Sequence, residues 1–242
     1  MAELKRAGMI FDFDDTLVYA HEQFQLAEKQ FALHMLELGL YDEKLLNAAR
    51  ERDIANVRRA GYLATDCFPT ALVETYESYC AKYRRQPDAA VKRQLLLLGY
   101  QPYINPPRPL EGAKELLRQL RLSGWSKRSL ILFTQGEQKI QRRRLRLSGL
   151  RGMFGVIEIV REKNDAALQA LLKKQRLEPS LSWYVGNSLR HDINPAIRAG
   201  LNAVHLNTAG WSYEDEEPGG FYHSISHLGQ LTAILEQAGV AR

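Results

Sequence analysis

Apolar and polar positions follow two different rhythms along this chain. In MIFDFDDTLV, residues 9 to 18, apolar side chains at 9–11 and 13 describe a short buried strand that runs straight into acidic residues. A helical spacing takes over next. Phe24, Ala27, Phe31, Met35 and Leu38 recur on one face, and Gly39 is a natural stop. DEKLLNAARERDIANVRRAG opens with Asp42 as a predicted N-cap and closes on a glycine. PTALVETYESYCAKYR starts with Pro69 at a permitted first-turn position and carries Leu72, Tyr76, Tyr79 and Tyr83 as one stripe. PDAAVKRQLLLLG repeats the same start and stop signals. Residues 20–99 therefore read as helices without a strand.

The texture changes at YQPYINPPRPL, whose four prolines between 102 and 109 predict a linker. Beyond it the pattern alternates: helix 111–122, strand 129–133, helix 136–147, strand 155–160, helix 164–175, strand 182–186, helix 194–200 and strand 203–206, with a final helix over 227–238. Alternation of this kind calls for parallel strands joined by crossover helices. The predicted fold class is α/β, a doubly wound Rossmann-like parallel sheet. The first strand joins that sheet, which makes residues 1–19 and 105–242 one core domain and residues 20–104 an inserted helical domain.

Composition changes this picture little. With 242 residues, 45% hydrophobic and 25% charged, the chain has ordinary globular values. No apolar run suits a signal peptide or membrane anchor. The two cysteines, Cys67 and Cys80, fit a reducing compartment better than a disulfide framework, so the expected location is cytoplasmic. A net charge of +5 raises the question of nucleic acid. Much of the local excess lies in KIQRRRLR, residues 139–146, read as the solvated outer face of a helix. No zinc-finger or RNP-type motif accompanies it, so nucleic acid is not the expected partner.

The chemistry collects at strand ends, where open parallel sheets bind ligands. The first strand ends in Asp12 and Asp14, the second in Thr134 and Gln135, the third is followed by Lys163, and the fourth by GNSLRHD with Asn187 and Asp192. Any one of these is ordinary as a helix cap or surface residue; four strand ends supplying such groups together suit phosphoryl transfer. A hard cation, Mg²⁺ by preference, takes oxygen ligands and usually one or two carboxylates, leaving room for a substrate phosphate. Beside it an aspartate such as Asp12 can act as nucleophile, Asp14 can hold a proton for the leaving group, Thr134 can donate to a phosphate oxygen and Lys163 can balance charge.

These stretches, DFDDT, LFTQG, the EK after the third strand and GNSLRHD, together resemble the four motifs of the haloacid dehalogenase superfamily, in order and over the core from 9 to about 206. The resemblance implies that Asp12 is the nucleophile and Asp14 the general acid/base, with the Asp14 backbone carbonyl meeting Mg²⁺. It places Thr134, Gln135 and Lys163 at the phosphate, and Asn187 and Asp192 with Asp12 and Asp14 in the metal site. The helical insertion resembles a C1-type cap, which in that superfamily closes over the site and selects substrates. Asp15 is read as a turn residue pointing away.

One position departs from the family pattern. The fourth motif commonly begins Gly-Asp, whereas here Asn187 offers an oxygen without a charge, and Asp192 becomes its principal acid. The implied activity is Mg²⁺-dependent hydrolysis of a small phosphorylated metabolite through an aspartyl phosphate. The alternatives are a dehalogenase or phosphomutase of the same superfamily, or a non-catalytic binding protein that keeps the fold. Halide expulsion needs no proton donor, which sets Asp14 against the dehalogenase. His191 and His21 are weaker candidates for substrate contact and gating, and WSYEDEEPGG, residues 211–220, reads as a solvated loop. Oligomeric state is not legible.

Overall fold

A computed structural model describes residues 6–208 and 216–240 of the chain. Six strands form one sheet: β1 (Met9–Phe11), β2 (Leu130–Gln135), β3 (Val156–Val160), β4 (Trp183–Gly186), β5 (Asn202–Leu206) and β6 (His223–Ile225). Their order is β3-β2-β1-β4-β5-β6, and every neighbouring pair is parallel. β1 lies at the centre, where Phe11 registers with Leu132 on one side and Val185 on the other. The chain first builds outward through β2 and β3, then crosses to β4. The crevice between the carboxyl ends of β1 and β4 is therefore the point at which the strand order reverses, the place where doubly wound sheets bind ligands.

Alternation along the central strands supplies both faces of the sheet. Met9, Phe11, Leu130 and Leu132 pack with Leu116, Leu117 and Leu120 of α5 (Ala113–Leu122) and with Leu231 and Leu235 of α9 (Gln230–Gln237). Ile10, Ile131 and Phe133 face the other way, toward Leu168, Leu171 and Leu172 of α7 (Asp165–Gln175) and Ala196 of α8 (Asn194–Arg198). A parallel sheet covered on both faces explains why these strands read as continuous apolar runs. α6 (Gln138–Leu147) adds Leu145 to the first cluster.

The chain divides into two compact units: residues 1–19 with 107–242, and residues 20–106. Where the first unit is interrupted, its two connecting segments pair side by side. Tyr19 N donates to Arg108 O (2.9 Å), Leu110 N to Leu17 O (2.9 Å), and the Arg108 guanidinium lies 3.9 Å from the Tyr19 ring centre.

The second unit holds α1 (His21–Glu37), α2 (Leu45–Ala60), α3 (Cys67–Lys82) and α4 (Ala89–Ile104), with Phe31, Met35, Leu45, Leu72, Tyr76 and Leu95 in its core. Cys67 and Cys80 are free, buried thiols. Three expectations need correcting. Asp42 is not an N-cap: α2 begins at Leu45, and the Asp42 carboxylate accepts from Tyr79 Oη (2.6 Å) and Lys82 Nζ (2.5 Å). α4 runs past Gly99 and includes Pro102 in its last turn. Gly99 is there because α3 approaches closely; a Cβ would lie 2.4 Å from Pro69 Cα. Tyr83 leaves the buried stripe and is half exposed, whereas Tyr76 and Tyr79 remain in the core.

In the first unit, β2 extends two residues beyond its predicted end, so Thr134 and Gln135 belong to the strand itself. β6 was not predicted. Residues 211–215 of the acidic loop lie outside the described residues; from Glu216 onward that segment is tied to Asn194, whose Nδ2 donates to Glu216 Oε2 (3.1 Å) and Glu217 O (3.0 Å). No helix among the described residues is long and apolar enough to cross a membrane.

Candidate active site

At the carboxyl end of β1 the chain leaves the sheet in a tight turn. Asp12 N still donates to Val185 O (3.0 Å), after which Leu17 N and Val18 N both donate to Phe13 O. Asp15 takes a positive φ of 56°, which aspartate tolerates better than most residues, and it is buried in this turn. The turn brings Thr16 back onto Asp12. Thr16 Oγ1 lies 3.2 Å from Asp12 Oδ2 and 3.2 Å from Asn187 Oδ1, which joins the end of β1 to the end of β4.

Lys163 arrives from the end of β3. Asn164 caps α7 by accepting from Ala167 N (2.9 Å), and Gln135 Oε1 accepts from Lys163 N (3.1 Å), so the backbone on both sides of the lysine is fixed. The ammonium bridges two carboxylates: Nζ is 2.5 Å from Asp12 Oδ1 and 2.5 Å from Asp192 Oδ1. All three side chains are buried. Burial pushes the Asp12 carboxyl up, to about 7; Lys163 opposes the rise, while Asp192 and Asp14 add to it. Burial alone would lower the Lys163 ammonium, but Asp12 and Asp192 together hold it above its ordinary range.

Asp192 is placed by a single π-helical turn, Leu189–Ile193, in which Asp192 N and Ile193 N both donate to Ser188 O. Its Oδ1 also accepts from Tyr184 Oη (2.9 Å), and its Oδ2 accepts from Ser188 N (3.1 Å). Burial, then the adjoining Asp192 charge, push the Tyr184 phenol well above its usual value, so it donates at any ordinary pH. The turn folds Asp192 directly over Gly186, where a Cβ would lie 2.4 Å from its carboxyl carbon; only glycine fits. His191 sits in the same turn and is half-buried; burial, then the Lys163 charge, lower its pKa.

Asp14 is held from α6. Gln141 Nε2 lies 2.7 Å from Asp14 Oδ2, 3.1 Å from Thr134 Oγ1 and 3.0 Å from Gln135 O. Arg144 Nη1 lies 2.6 Å from Asp14 Oδ1 and donates to Gln141 Oε1 (2.8 Å). Gln141 and Arg144 were not anticipated as site residues, because the arginine-rich segment read as an outer face. Arg142 and Arg146 are indeed exposed, whereas Arg144 is only 4% exposed. The signal was the spacing: Gln141, Arg144, Leu145 and Ser148 form one buried stripe of α6 and its end. Thr16 and Tyr184 were also missed as site residues.

The structure thus brings Asp12, Asp14, Thr134, Gln135, Lys163, Asn187 and Asp192 to one end of the sheet; His21 belongs to the other unit. The donors fit a hard cation in kind. Asp12 Oδ2 and Asn187 Oδ1 converge on the same hydroxyl, and every candidate ligand is oxygen. Among the described residues no three His, Cys, Asp or Glu side chains are grouped so as to hold a metal ion. Asp192, expected among the ligands, has both oxygens engaged by protein donors.

The sheet is doubly wound, with a buried carboxylate-lysine-carboxylate cluster at its switch point. The family model for haloacid dehalogenase-like hydrolases matches residues 7–200, and the chain belongs to that family. Among solved structures it is similar to a haloacid dehalogenase-like hydrolase from Xanthomonas campestris, at 21% identity and TM-score 0.74, covering 98% of this chain and 97% of that one. The magnesium-bound putative hydrolase YfnB of Bacillus subtilis (18%, TM-score 0.63, 96% and 100% covered) is also similar. So is the L-2-haloacid dehalogenase of Xanthobacter autotrophicus (13%, TM-score 0.63, 96% and 99% covered). At these identities the likeness concerns the fold. Among curated proteins, none matches the chain.

Proposed function

We propose that the protein is a Mg²⁺-dependent phosphomonoester hydrolase that works through an aspartyl phosphate on Asp12, with a small phosphorylated metabolite as substrate. The observation that carries this reading is Asp14. A second carboxylate stands two residues from the buried nucleophile and is fixed by Gln141, the same carboxamide that contacts the phosphate-binding candidate Thr134. Phosphate esters need a proton on the departing oxygen; halide does not.

In the first step an Asp12 carboxylate oxygen bonds to phosphorus as the bond to the leaving oxygen breaks, and Asp14 gives that oxygen a proton. In the second, Asp14 takes a proton from water as the water oxygen bonds to phosphorus. The acyl phosphate P–O bond then breaks, returning Asp12 and releasing phosphate. Thr134 donates to a phosphate oxygen, and Lys163 and Gln135 define the same side of the site. Mg²⁺, when bound by Asp12, Asn187 and the Asp14 carbonyl with Asp192 adding charge behind them, supplies the positive charge that lets Asp12 approach an anion.

A second reading, 2-haloacid dehalogenation, is favoured by Asn187, which leaves the fourth motif one charge short for a metal. Two assays separate the readings: hydrolysis of 4-nitrophenyl phosphate with and without Mg²⁺, and halide release from 2-chloropropionate without metal, each with wild type and Asp12→Asn. Metal-dependent phosphate release that Asp12→Asn abolishes is the expected result. Metal-independent halide release with no phosphate release overturns the proposal.

A further inference from the structure

Arg144 is a buried cation whose place the hydrolytic scheme does not explain. It is 4% exposed, and its Nε and Nη2 are buried without a hydrogen-bond partner among the described residues. Leaving such donors unsatisfied costs on the order of 1–3 kcal/mol. Something must hold the guanidinium there, and its two close polar neighbours are Asp14 and Gln141.

The arrangement is a closed clamp. Gln141 Nε2 touches Asp14 Oδ2, Arg144 Nη1 faces Asp14 Oδ1 as an ion pair rather than an aligned hydrogen bond, and Gln141 Oε1 accepts from Arg144. Both oxygens of Asp14 are thus addressed from one helix face, and Phe13 backs the guanidinium with its ring centre 5.7 Å from Cζ. The clamp is anchored to β2, because Gln141 Nε2 also reaches Thr134 Oγ1 and Gln135 O.

We infer that Arg144, working with Gln141, is the positioning residue of Asp14, fixing the direction in which that carboxylate exchanges protons with the leaving group. The inference rests on the hydrolase reading above. Misdirecting a general acid matters in proportion to how badly the leaving oxygen needs its proton. In the first step an alkyl phosphate feels the loss, and an aryl phosphate with an acidic leaving group hardly does.

The test compares kcat and KM on 4-nitrophenyl phosphate and glycerol 2-phosphate for wild type, Arg144→Met, Arg144→Lys, Gln141→Leu, Asp14→Asn and the Asp14→Asn/Arg144→Met double variant. Arg144→Met should lower kcat/KM, which reports the first step alone, about 10–100-fold on the alkyl ester and less than about threefold on the aryl ester, whereas the shared second step lowers kcat on both. Arg144→Lys should recover part of the loss, and Arg144→Met should have no further effect once Asp14 is Asn. Equal losses in kcat/KM on both esters, or a further loss in the Asp14→Asn background, overturn the inference. Gln141→Leu, which removes no buried charge, carries the same comparison if Arg144→Met does not fold. If wild type cleaves neither ester the hydrolase reading fails. The clamp is then judged by crystal structures of wild type and Gln141→Leu: a turned Asp14 side chain supports it, and an unmoved one overturns it.

Discussion

Lys163 Nζ lies 2.5 Å from Asp12 Oδ1, with cation and carboxylate both buried. Breaking such a pair leaves an uncompensated charge in a dry site, and here Asp192 loses its partner as well. Lys163→Met should therefore lower unfolding stability by about 3–5 kcal/mol, measured by urea denaturation. A loss below about 1 kcal/mol would show that water reaches the cluster.

Activity should depend on pH through Asp12. Burial raises its carboxyl to about 7, and the proposed nucleophile must be ionised, so turnover should rise as pH climbs through that value and fall about tenfold per unit below it. Mg²⁺ competes with the proton for the same carboxylate, so more metal should move the acid limb to lower pH. A profile of kcat/KM at two Mg²⁺ concentrations checks both statements; an acid limb near pH 4 at the lower concentration would contradict them.

Asn187→Asp should tighten Mg²⁺ binding by roughly tenfold or more, because a second charged oxygen enters the donor set. Asn187 Oδ1 is already an acceptor from Thr16, so a carboxylate oxygen takes its place without rebuilding the turn. Calorimetric titration of both proteins with Mg²⁺ measures the change.

Gly186→Ala places a methyl group 2.4 Å from the Asp192 carboxyl, which is held by Lys163, Tyr184 and Ser188. Neither the strand nor that side chain can yield cheaply, and about 1–3 kcal/mol of stability should be lost. The urea midpoint should fall with an unchanged slope.

Asp53 of α2 offers a test that involves none of the proposed catalytic residues. Burial, with the Glu28 charge adding to it, raises its carboxyl from 3.8 to about 6. The folded protein therefore binds a proton more tightly than the unfolded chain. This contribution is fully present below about pH 4 and is lost as pH rises through about 6. Asp53→Asn should stabilise the helical unit by about 1–2 kcal/mol near pH 7.5 and give no advantage near pH 4, read from thermal melts at both pH values.

Much of this site was legible because strand ends in a parallel sheet converge by topology. Asp12, Thr134, Lys163, Asn187 and Asp192 each follow or close an apolar run, and the sheet brings those ends together. What escaped was chemistry carried on a helix flank. Arg144 is one of four arginines that stand with one lysine between 139 and 146, and composition hid the periodicity that buries it. Pro102 misled for a related reason: proline forbids a helical hydrogen bond at its own nitrogen, but α4 tolerates that loss in its last turn. β6 has three residues at the sheet edge, too short for alternation to register.

The central position of β1 has a consequence for how the molecule comes into being. Met9–Phe11 has no neighbour in the sheet until β2 and β4 are available, and Lys163 follows Asp12 by 151 residues along the chain. The helical insertion, made of near-sequence partners, can order itself while the chain is still being synthesised, whereas the first strand must wait for long-range closure. Asp12, the proposed nucleophile, is among the earliest residues translated and among the last to find its counterion, so a nascent chain carries it long before it carries the assembled site.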